Sequence, residues 1–414
     1  MALLFAAMLT IAACGSSEDN VVSPPETENP ETPSNTDNSG ETNKPGDTDE
    51  SEMPEPVQLS KDNDMKLFAH YMPWFVKPSA SGVWNHWTMS TNALQTDHSN
   101  LASHYSPLIS PYASNDEAVL DYQCLMMKYS GLDGVIIDYM GESGKNDYAS
   151  IAANTKKMVA AATKAGLQFA ICYDEQTALS SFTFPDLNDA KDQGRSDMRF
   201  ICNNFLNLPN YVKDNGKPVL LIFGPARVKG KANWEYITEP LNGAKVIVLN
   251  NMSGNYGNAS GEFLWVNPSP NYSNVGSYDM YIAGAMPGFW DVYKQFGQGE
   301  GYTTYDRQDG ALFLQQLNAA KEAGLKWLQI STWNDYGEGT VIEPTKEFGY
   351  QYLTILQQFA KVSLTEQDLK LVARWYEQRI SKPTNKSVAK AYAYLAALER
   401  DKAIKLLDEL EKQQ

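Results

Sequence analysis

Asp335 and Glu338 stand three residues apart in Trp333-Asn334-Asp335-Tyr336-Gly337-Glu338-Gly339-Thr340-Val341-Ile342-Glu343-Pro344, a stretch that mixes carboxylates with Trp, Tyr and Gly. That mixture builds a poor hydrophobic core and a good sugar-binding mouth. Aromatic faces stack on the apolar C–H faces of pyranose rings, and paired carboxylates move protons during glycosidic bond cleavage. Gly337 and Gly339 let the backbone approach a ligand closely. The bland alternative is an acidic surface loop with one buried Trp. What else reaches the same place decides between them.

The elements that must position the pair follow a repeated pattern. Residues 116–129, 150–165 and 309–323 each read as a helix ended by a glycine: Gly131, Gly166 and Gly324. In each case a Leu follows the glycine at once and an apolar strand comes next, as expected where glycine takes the left-handed C-cap position. Strand candidates are 67–72, 134–139, 167–173, 218–223, 245–249, 263–266, 279–284 and 326–332. Continuously apolar strands preceded by helices indicate a parallel sheet covered on both faces. Eight of them predict an α/β fold, a (β/α)8 barrel over residues 61–362. A doubly wound open sheet is the alternative, although no G-x-G-x-x-G follows any strand. Residues 363–414 read as a helical C-terminal extension, with Ser363-Leu364-Thr365-Glu366 resembling a capping box.

In such a barrel the C-terminal strand ends share one mouth. That would bring Asp138, Asp174 or Glu175, Asp335 and Glu338 together, with His70 and Tyr71 after the first strand and Trp290 beyond the seventh. Crowded negative charge and desolvation by Trp333 and Tyr336 would keep one carboxyl protonated near neutrality. Asp174 could instead cap a helix, Asp138 could be a structural acceptor, and Glu343 either holds the loop or touches sugar. Residues 73–115 hold Trp74, Phe75, Trp84, His86 and Trp87 among many Pro, Ser and Asn, which predicts a long functional loop. All four histidines (His70, His86, His98, His104) fall between 70 and 104, at spacings that match no familiar metal motif.

The formal charge is −16, but residues 15–56 carry twelve acids and one base, leaving the remainder near −5. No basic stripe exists, so nucleic acid is not expected as a partner. Residues 15–60 are Ser, Thr, Asn, Pro, Gly and acids, the composition of a disordered tether. Residues 2–13 form an uncharged apolar run, shorter than the roughly 20 residues a bilayer span needs but right for a signal-peptide core. Ile11-Ala12-Ala13-Cys14 resembles a lipobox, so residues 1–14 read as a lipoprotein signal with Cys14 as the lipidated residue. Gly15-Ser16-Ser17-Glu18-Asp19 is similar to the acidic export signal of surface lipoproteins in Bacteroidota-type bacteria. Cys124, Cys172 and Cys202 lie in apolar contexts and read as buried free thiols.

The motifs resemble those of glycoside hydrolase families 71 and 99, related (β/α)8 barrels acting on α-linked glycans. Trp333-Asn334-Asp335-Tyr336-Gly337-Glu338 looks like the family 71 motif, and Glu338-Gly339-Thr340 with Ile342-Glu343 looks like family 99. His104-Tyr105-Ser106-Pro107 with Pro111-Tyr112 and Asp116, and His70-Tyr71 with Trp74, are also similar to family 99. The resemblance covers about residues 65–350. It implies Glu338 as general acid/base, and Asp335 at the position that deprotonates the sugar 2-hydroxyl in family 99, which retains configuration through a 1,2-anhydro intermediate. Family 99 has Glu there. The shorter Asp matches family 71, whose members invert configuration and cleave α-1,3-glucan.

The expectation is a glycoside hydrolase, endo-acting on an α-mannan-type polysaccharide. An α-1,3-glucanase-like enzyme and a non-catalytic glycan-binding surface lipoprotein are the alternatives. Asp335 and Glu338 are the catalytic candidates. Candidate sugar contacts are His70, Tyr71, Trp74, Trp87, Asp138, Tyr139, Tyr173, Glu175, Trp333 and Tyr336. No metal or cofactor is expected. The expected protein is a monomer at the bacterial outer membrane or cell surface, touching the membrane only through its lipid anchor.

Overall fold

The structure, a computed structural model, describes residues 53–78, 84–89, 99–257, 259–273 and 275–412. Cys14, the leader before it, the tether through residue 52 and His98 lie outside the described residues.

Nine strands follow in chain order: β1 (Lys66–Tyr71), β2 (Gly134–Tyr139), β3 (Gln168–Tyr173), β4 (Lys213–Asp214), β5 (Lys217–Ile222), β6 (Lys245–Leu249), β7 (Gly261–Phe263), β8 (Met280–Ala285) and β9 (Trp327–Ile330). All except β4 pair in parallel with their neighbours, β3 passes directly to β5, and β9 returns to β1 through Leu67 opposite Leu328. That return closes the (β/α)8 barrel and excludes the open sheet. β4 is a short antiparallel partner on β5.

Alternate residues of each strand face opposite ways. Phe68, Ile136, Ala170, Cys172, Leu221, Ile247, Phe263 and Ile282 fill the barrel interior. The other parity, including Leu67, Tyr71, Val135, Tyr139, Phe169 and Tyr173, packs outward under the helices.

The helix–glycine–strand pattern is present three times. The helices are Glu117–Tyr129, Tyr148–Ala165 and Ala311–Glu322. Gly131, Gly166 and Gly324 have φ of 94°, 74° and 72°. The next N–H reaches five residues back each time: Leu132 to Met127 O, Leu167 to Ala162 O and Leu325 to Ala320 O. This is the bond pattern of a Schellman cap. Between β5 and β8 the helical segments shrink to Lys231–Thr238, Ser253–Tyr256 and single turns, matching the weak helical signal there.

Helix Gln351–Ala360 follows the β9 loop, and helices Glu366–Ser381, Lys386–Ala396 and Arg400–Glu411 complete the chain. Glu366–Ser381 lies against Glu117–Tyr129, and Trp375, fully buried, donates through Nε1 to Val388 O at 3.0 Å. The capping box is formed by Thr365 with Asp368 rather than from Ser363. Thr365 starts the helix, so the acid three residues later is Asp368. The N–H of Val57 donates to Ala396 O at 3.2 Å, joining the first described residues to these helices. The three thiols outside the leader are free, Cys124 and Cys172 buried and Cys202 half-buried. No helix among the described residues is long and apolar enough to cross a membrane.

Barrel closure requires tight contact at strand starts. A Cβ on Gly134 would meet the carbonyl oxygen of Gln168 at 2.0 Å, a backbone atom that cannot swing away. Gly134→Ala should therefore destabilise by about 3 kcal/mol, seen as a melting temperature several degrees lower. At Gly254 an added Cβ meets nothing within 4 Å, and Gly254→Ala should melt within about a degree of the parent. Equal melting of the two variants would contradict this account of the closure.

Candidate active site

The loop after β9 carries the acid pair and is tied on three sides. Trp333 N donates to His70 O at 2.7 Å. Asn334 extends the join to β1, its amide accepting from Met72 N at 2.8 Å and donating to Met72 O at 3.0 Å. Buried Arg307 donates to Gly339 O at 2.6 Å and to Val341 O at 3.2 Å, its guanidinium packed against Tyr105, Phe348 and Tyr352. Glu343 accepts from Gln123 at 2.6 Å, Tyr112 at 2.8 Å and Tyr336 at 2.9 Å. Glu343 thus holds the loop and lies away from the mouth.

Asp335 and Glu338 face a cavity of about 410 Å³ at the C-terminal end of the barrel. Its wall also contains His70, Trp74, Asp138, Asp174, Trp265 and Tyr293. Asp335 is buried, its backbone fixed by Thr332 Oγ1 at 2.7 Å, and its Oδ1 accepts the N–H of Glu338 at 3.1 Å. Glu338 is half-buried, and the Tyr293 hydroxyl donates to its Oε1 at 3.3 Å. Burial and then the Asp335 charge push the Glu338 carboxyl well above the usual range. Burial also raises Asp335, to about 6, held down chiefly by the Glu338 N–H. The pair therefore divides into a protonated acid and an ionised partner.

Burial pushes Asp138 up to about 8, helped by Asp335, and Asp174 up to about 7, helped by Asp138. Burial lowers His70 to about 4, so the ring is neutral. Gln329 donates to Leu264 O at 2.8 Å, which turns its Oε1 toward His70 Nδ1 at 3.4 Å. That network assigns the imidazole proton to Nδ1 and leaves Nε2 facing Asp138 Oδ1 at 3.8 Å. His70, Asp138 and Cys172 offer three ligand atoms within 4.8 Å of one another. Burial raises both the thiol and the Asp138 carboxyl, so a cation binding there would have to displace both protons.

Of the residues expected at the mouth, His70, Trp74, Asp138, Asp335 and Glu338 reach the cavity. Seven do not, which corrects their reading as sugar contacts. Tyr71, Tyr139 and Tyr173 point outward from their strands, where their hydroxyls donate to Gln123, Glu142 and Asp197. Trp333, Trp87 and Tyr336 are fully buried. Trp87 stacks on Phe75 at 4.1 Å and belongs with Tyr336 to a core beneath the long loop. Glu175 is one residue out of phase with the mouth, and its carboxylate binds the N–H groups of Ala226, Arg227 and Val228 at 2.6–3.0 Å.

Asp174 holds the inward position instead while also capping the following turn through Thr177 N at 3.1 Å. Trp290 is 47% exposed and stacks on His104 at 3.6 Å, outside the cavity wall. Trp74, half-buried, stacks on His86 at 5.0 Å. Sequence reasoning missed Trp265, Tyr293, Phe182 and Arg227. Trp265 could have been found by stepping two residues on from an inward residue of its own strand. Tyr293 and Phe182 lie in loops with no periodic signal.

No family model matches the chain, and no curated protein does. Solved structures do resemble it. A GH99 endo-alpha-mannosidase from Bacteroides thetaiotaomicron is 19% identical over 72% of this chain and 96% of its own, with a TM-score of 0.57. The same enzyme bound to bis-tris-propane gives 18%, 75%, 98% and 0.58. A glycoside hydrolase-like protein gives 16%, 74%, 97% and 0.53. The shared feature is the barrel. It extends over almost the full length of those chains.

Asp138 has a measurable signature. The folded protein holds its proton up to about pH 8, whereas an unfolded Asp releases it near the ordinary value of 3.8. Between those limits the native state binds more protons than the unfolded one, so stability falls as pH rises. Asp174, Glu175 and Glu343, each raised to about 7, act in the same direction. The parent melting temperature should decline from pH 5 to pH 8.5, and Asp138→Asn, which cannot ionise, should decline less. Identical slopes would show that Asp138 does not carry the proton.

Proposed function

We propose that this protein is a glycoside hydrolase that cleaves an α-linked glycan, with Glu338 as general acid/base and Asp335 as its ionised partner. The observation that carries the reading is the split between two adjacent carboxyls in one cavity. Glycosidic cleavage needs one acid to protonate the departing oxygen and one carboxylate to act at the sugar. Burial and the Asp335 charge keep the proton on Glu338. Backbone N–H donation holds Asp335 in its charged form. The barrel fold shared with GH99 endo-alpha-mannosidase structures supports the same reading.

In this mechanism the sugar ring lies between Trp74 and the β9 loop. Glu338 delivers its proton as the glycosidic bond lengthens. Asp335 takes a proton from the sugar 2-hydroxyl, whose oxygen closes on the anomeric carbon as the leaving group departs, as the motif resemblance implies. Water, giving a proton to Glu338, then attacks that carbon while the 2-oxygen recovers its proton from Asp335. Asp138 and Asp174 bond to hydroxyls of the same ring. Endo-cleavage of α-mannan is the favoured substrate assignment, because the solved structures with this barrel include endo-alpha-mannosidases. The apolar run 2–13 followed by Cys14 supports a lipid-anchored protein at the bacterial surface, tethered by the acidic segment.

Two experiments test the chemistry. Glu338→Gln keeps the shape and removes the proton, and turnover on α-mannan should fall on the order of 10²–10⁴-fold. Parent-like turnover would remove Glu338 from the role. The pH profile of kcat/KM should rise through about pH 6 as Asp335 ionises and fall at higher pH as Glu338 loses its proton. In Asp335→Asn the acid limb should disappear with most of the rate. An unchanged limb would assign it to another group.

A further inference from the structure

Arg227 is the one Arg or Lys among the described residues lining the cavity. Five carboxylates line the same cavity: Asp138, Asp147, Asp174, Asp335 and Glu338. None of them forms an ion pair with Arg227, which has no ion-pair partner among the described residues. Its Nη2 donates to Pro185 O at 3.1 Å, and its buried Nε has no partner among the described residues. The side chain is half-buried, so its remaining Nη donors stay open to a ligand in the cavity, and the buried Nε would gain most from an acceptor there.

Its placement is built. The buried Glu175 carboxylate gathers the N–H groups of Ala226, Arg227 and Val228, fixing the backbone that presents the guanidinium. Barrel order places β5 four strands from β9 in either direction. Arg227 therefore stands on the wall opposite Asp335 and Glu338, beyond the reacting ring. Beside it the loop after β3 adds Thr177, Ser180 and Phe182, whose ring is 60% exposed. That wall has the parts of a second sugar site: an aromatic face, hydroxyls and a charged fork. Because burial keeps Asp138 and Glu338 protonated near neutrality, less negative charge faces an incoming anion than the count of acids suggests.

We propose that Arg227 binds an oxyanion substituent (carboxylate, sulfate or phosphate) on a sugar unit next to the one cleaved. Resting on the hydrolase reading, this makes the substrate an acidic α-linked glycan. A guanidinium matches such oxyanions through two parallel N–H donors.

The test is calorimetric binding to the full chain carrying Glu338→Gln, which separates binding from turnover. Three matched pairs serve as probes: oligogalacturonate and its carboxyl-reduced form, phosphorylated and dephosphorylated α-mannan, and sulfated and desulfated α-fucan. At least one acidic member should bind about tenfold or more tightly than its neutral partner at low salt. The pair that responds identifies the oxyanion. Arg227→Gln should erase the preference, the acidic member of the pair losing far more affinity than the neutral one, and Arg227→Lys should keep part of it. Raising NaCl to about 0.5 M should erase it in the unsubstituted site, a readout that does not depend on a variant folding. No preference in any pair, or a preference that survives Arg227→Gln, overturns the proposal. The two readings fail separately. Cleavage of neutral glycans as fast as acidic ones leaves the hydrolase and removes the anion site. An Arg227-dependent preference with no released reducing ends from the parent does the reverse.

Discussion

Strand parity is the constraint from which the rest of this site follows. In a parallel barrel each strand sends alternate side chains inward, and the residues just past its C-terminal end inherit that alternation. Register pairs Asp138 with Cys172, so the inward line on β3 continues to Asp174 and skips Glu175. His70 follows Phe68, Phe223 follows Leu221 and Trp265 follows Phe263 in the same way. The opposite parity turns Tyr71, Tyr139 and Tyr173 into the helix layer, where each hydroxyl finds an acceptor, buried Gln123 and Asp197 and half-buried Glu142. One slip of phase would exchange an acidic mouth for a ring of tyrosines.

Parity delivers side chains only where strands end, so the β9 loop needs its own supports. They are polar contacts under an apolar cover. Asn334 pairs with the backbone of Met72 much as another strand residue would. Arg307 collects two carbonyls, and Glu343 collects three side-chain donors. Around them Phe75, Trp87, Tyr112, Tyr336 and Val341 exclude water. Hydrogen bonds to charged groups contribute more than neutral ones, and leaving any of these groups unpaired would cost about 1–3 kcal/mol. The aromatic richness of this region thus serves the loop's rigidity more than direct stacking on sugar.

That distinction explains what the sequence could and could not convey. The barrel was legible because the helix–glycine–strand signal is local and repeats, and Gly166 with Leu167 shows its physical basis. The acid pair was legible because Asp335 and Glu338 sit in one short loop after an identifiable strand. Which aromatics reach the cavity was not legible. Strands buried on both faces are apolar along most of their length, so the run 134–137 carries no alternation, and Asp138 and Tyr139 then offer two candidates of opposite phase. Trp74 and Trp87 belong to the same irregular stretch, yet Trp87 is fully buried and Trp74 lines the cavity. Arg227 gave no signal because its role depends on Glu175, 52 residues earlier in the chain.

The proposed division of labour between Asp335 and Glu338 rests on unequal solvation of two similar groups. Both lose water on burial, which raises both. Asp335 recovers part of that loss from backbone N–H donors at Glu338 and Gly337, supplied by the turn it begins. Glu338 recovers less, from one tyrosine hydroxyl at 3.3 Å, and it then meets the field of the charge that Asp335 retains. The first carboxyl to ionise therefore raises the other. A loop whose backbone solvates its own first acid thus leaves the second the harder of the two to ionise. The shorter Asp side chain suits this arrangement, since it keeps the carboxylate within reach of the N–H groups that follow it in the same turn.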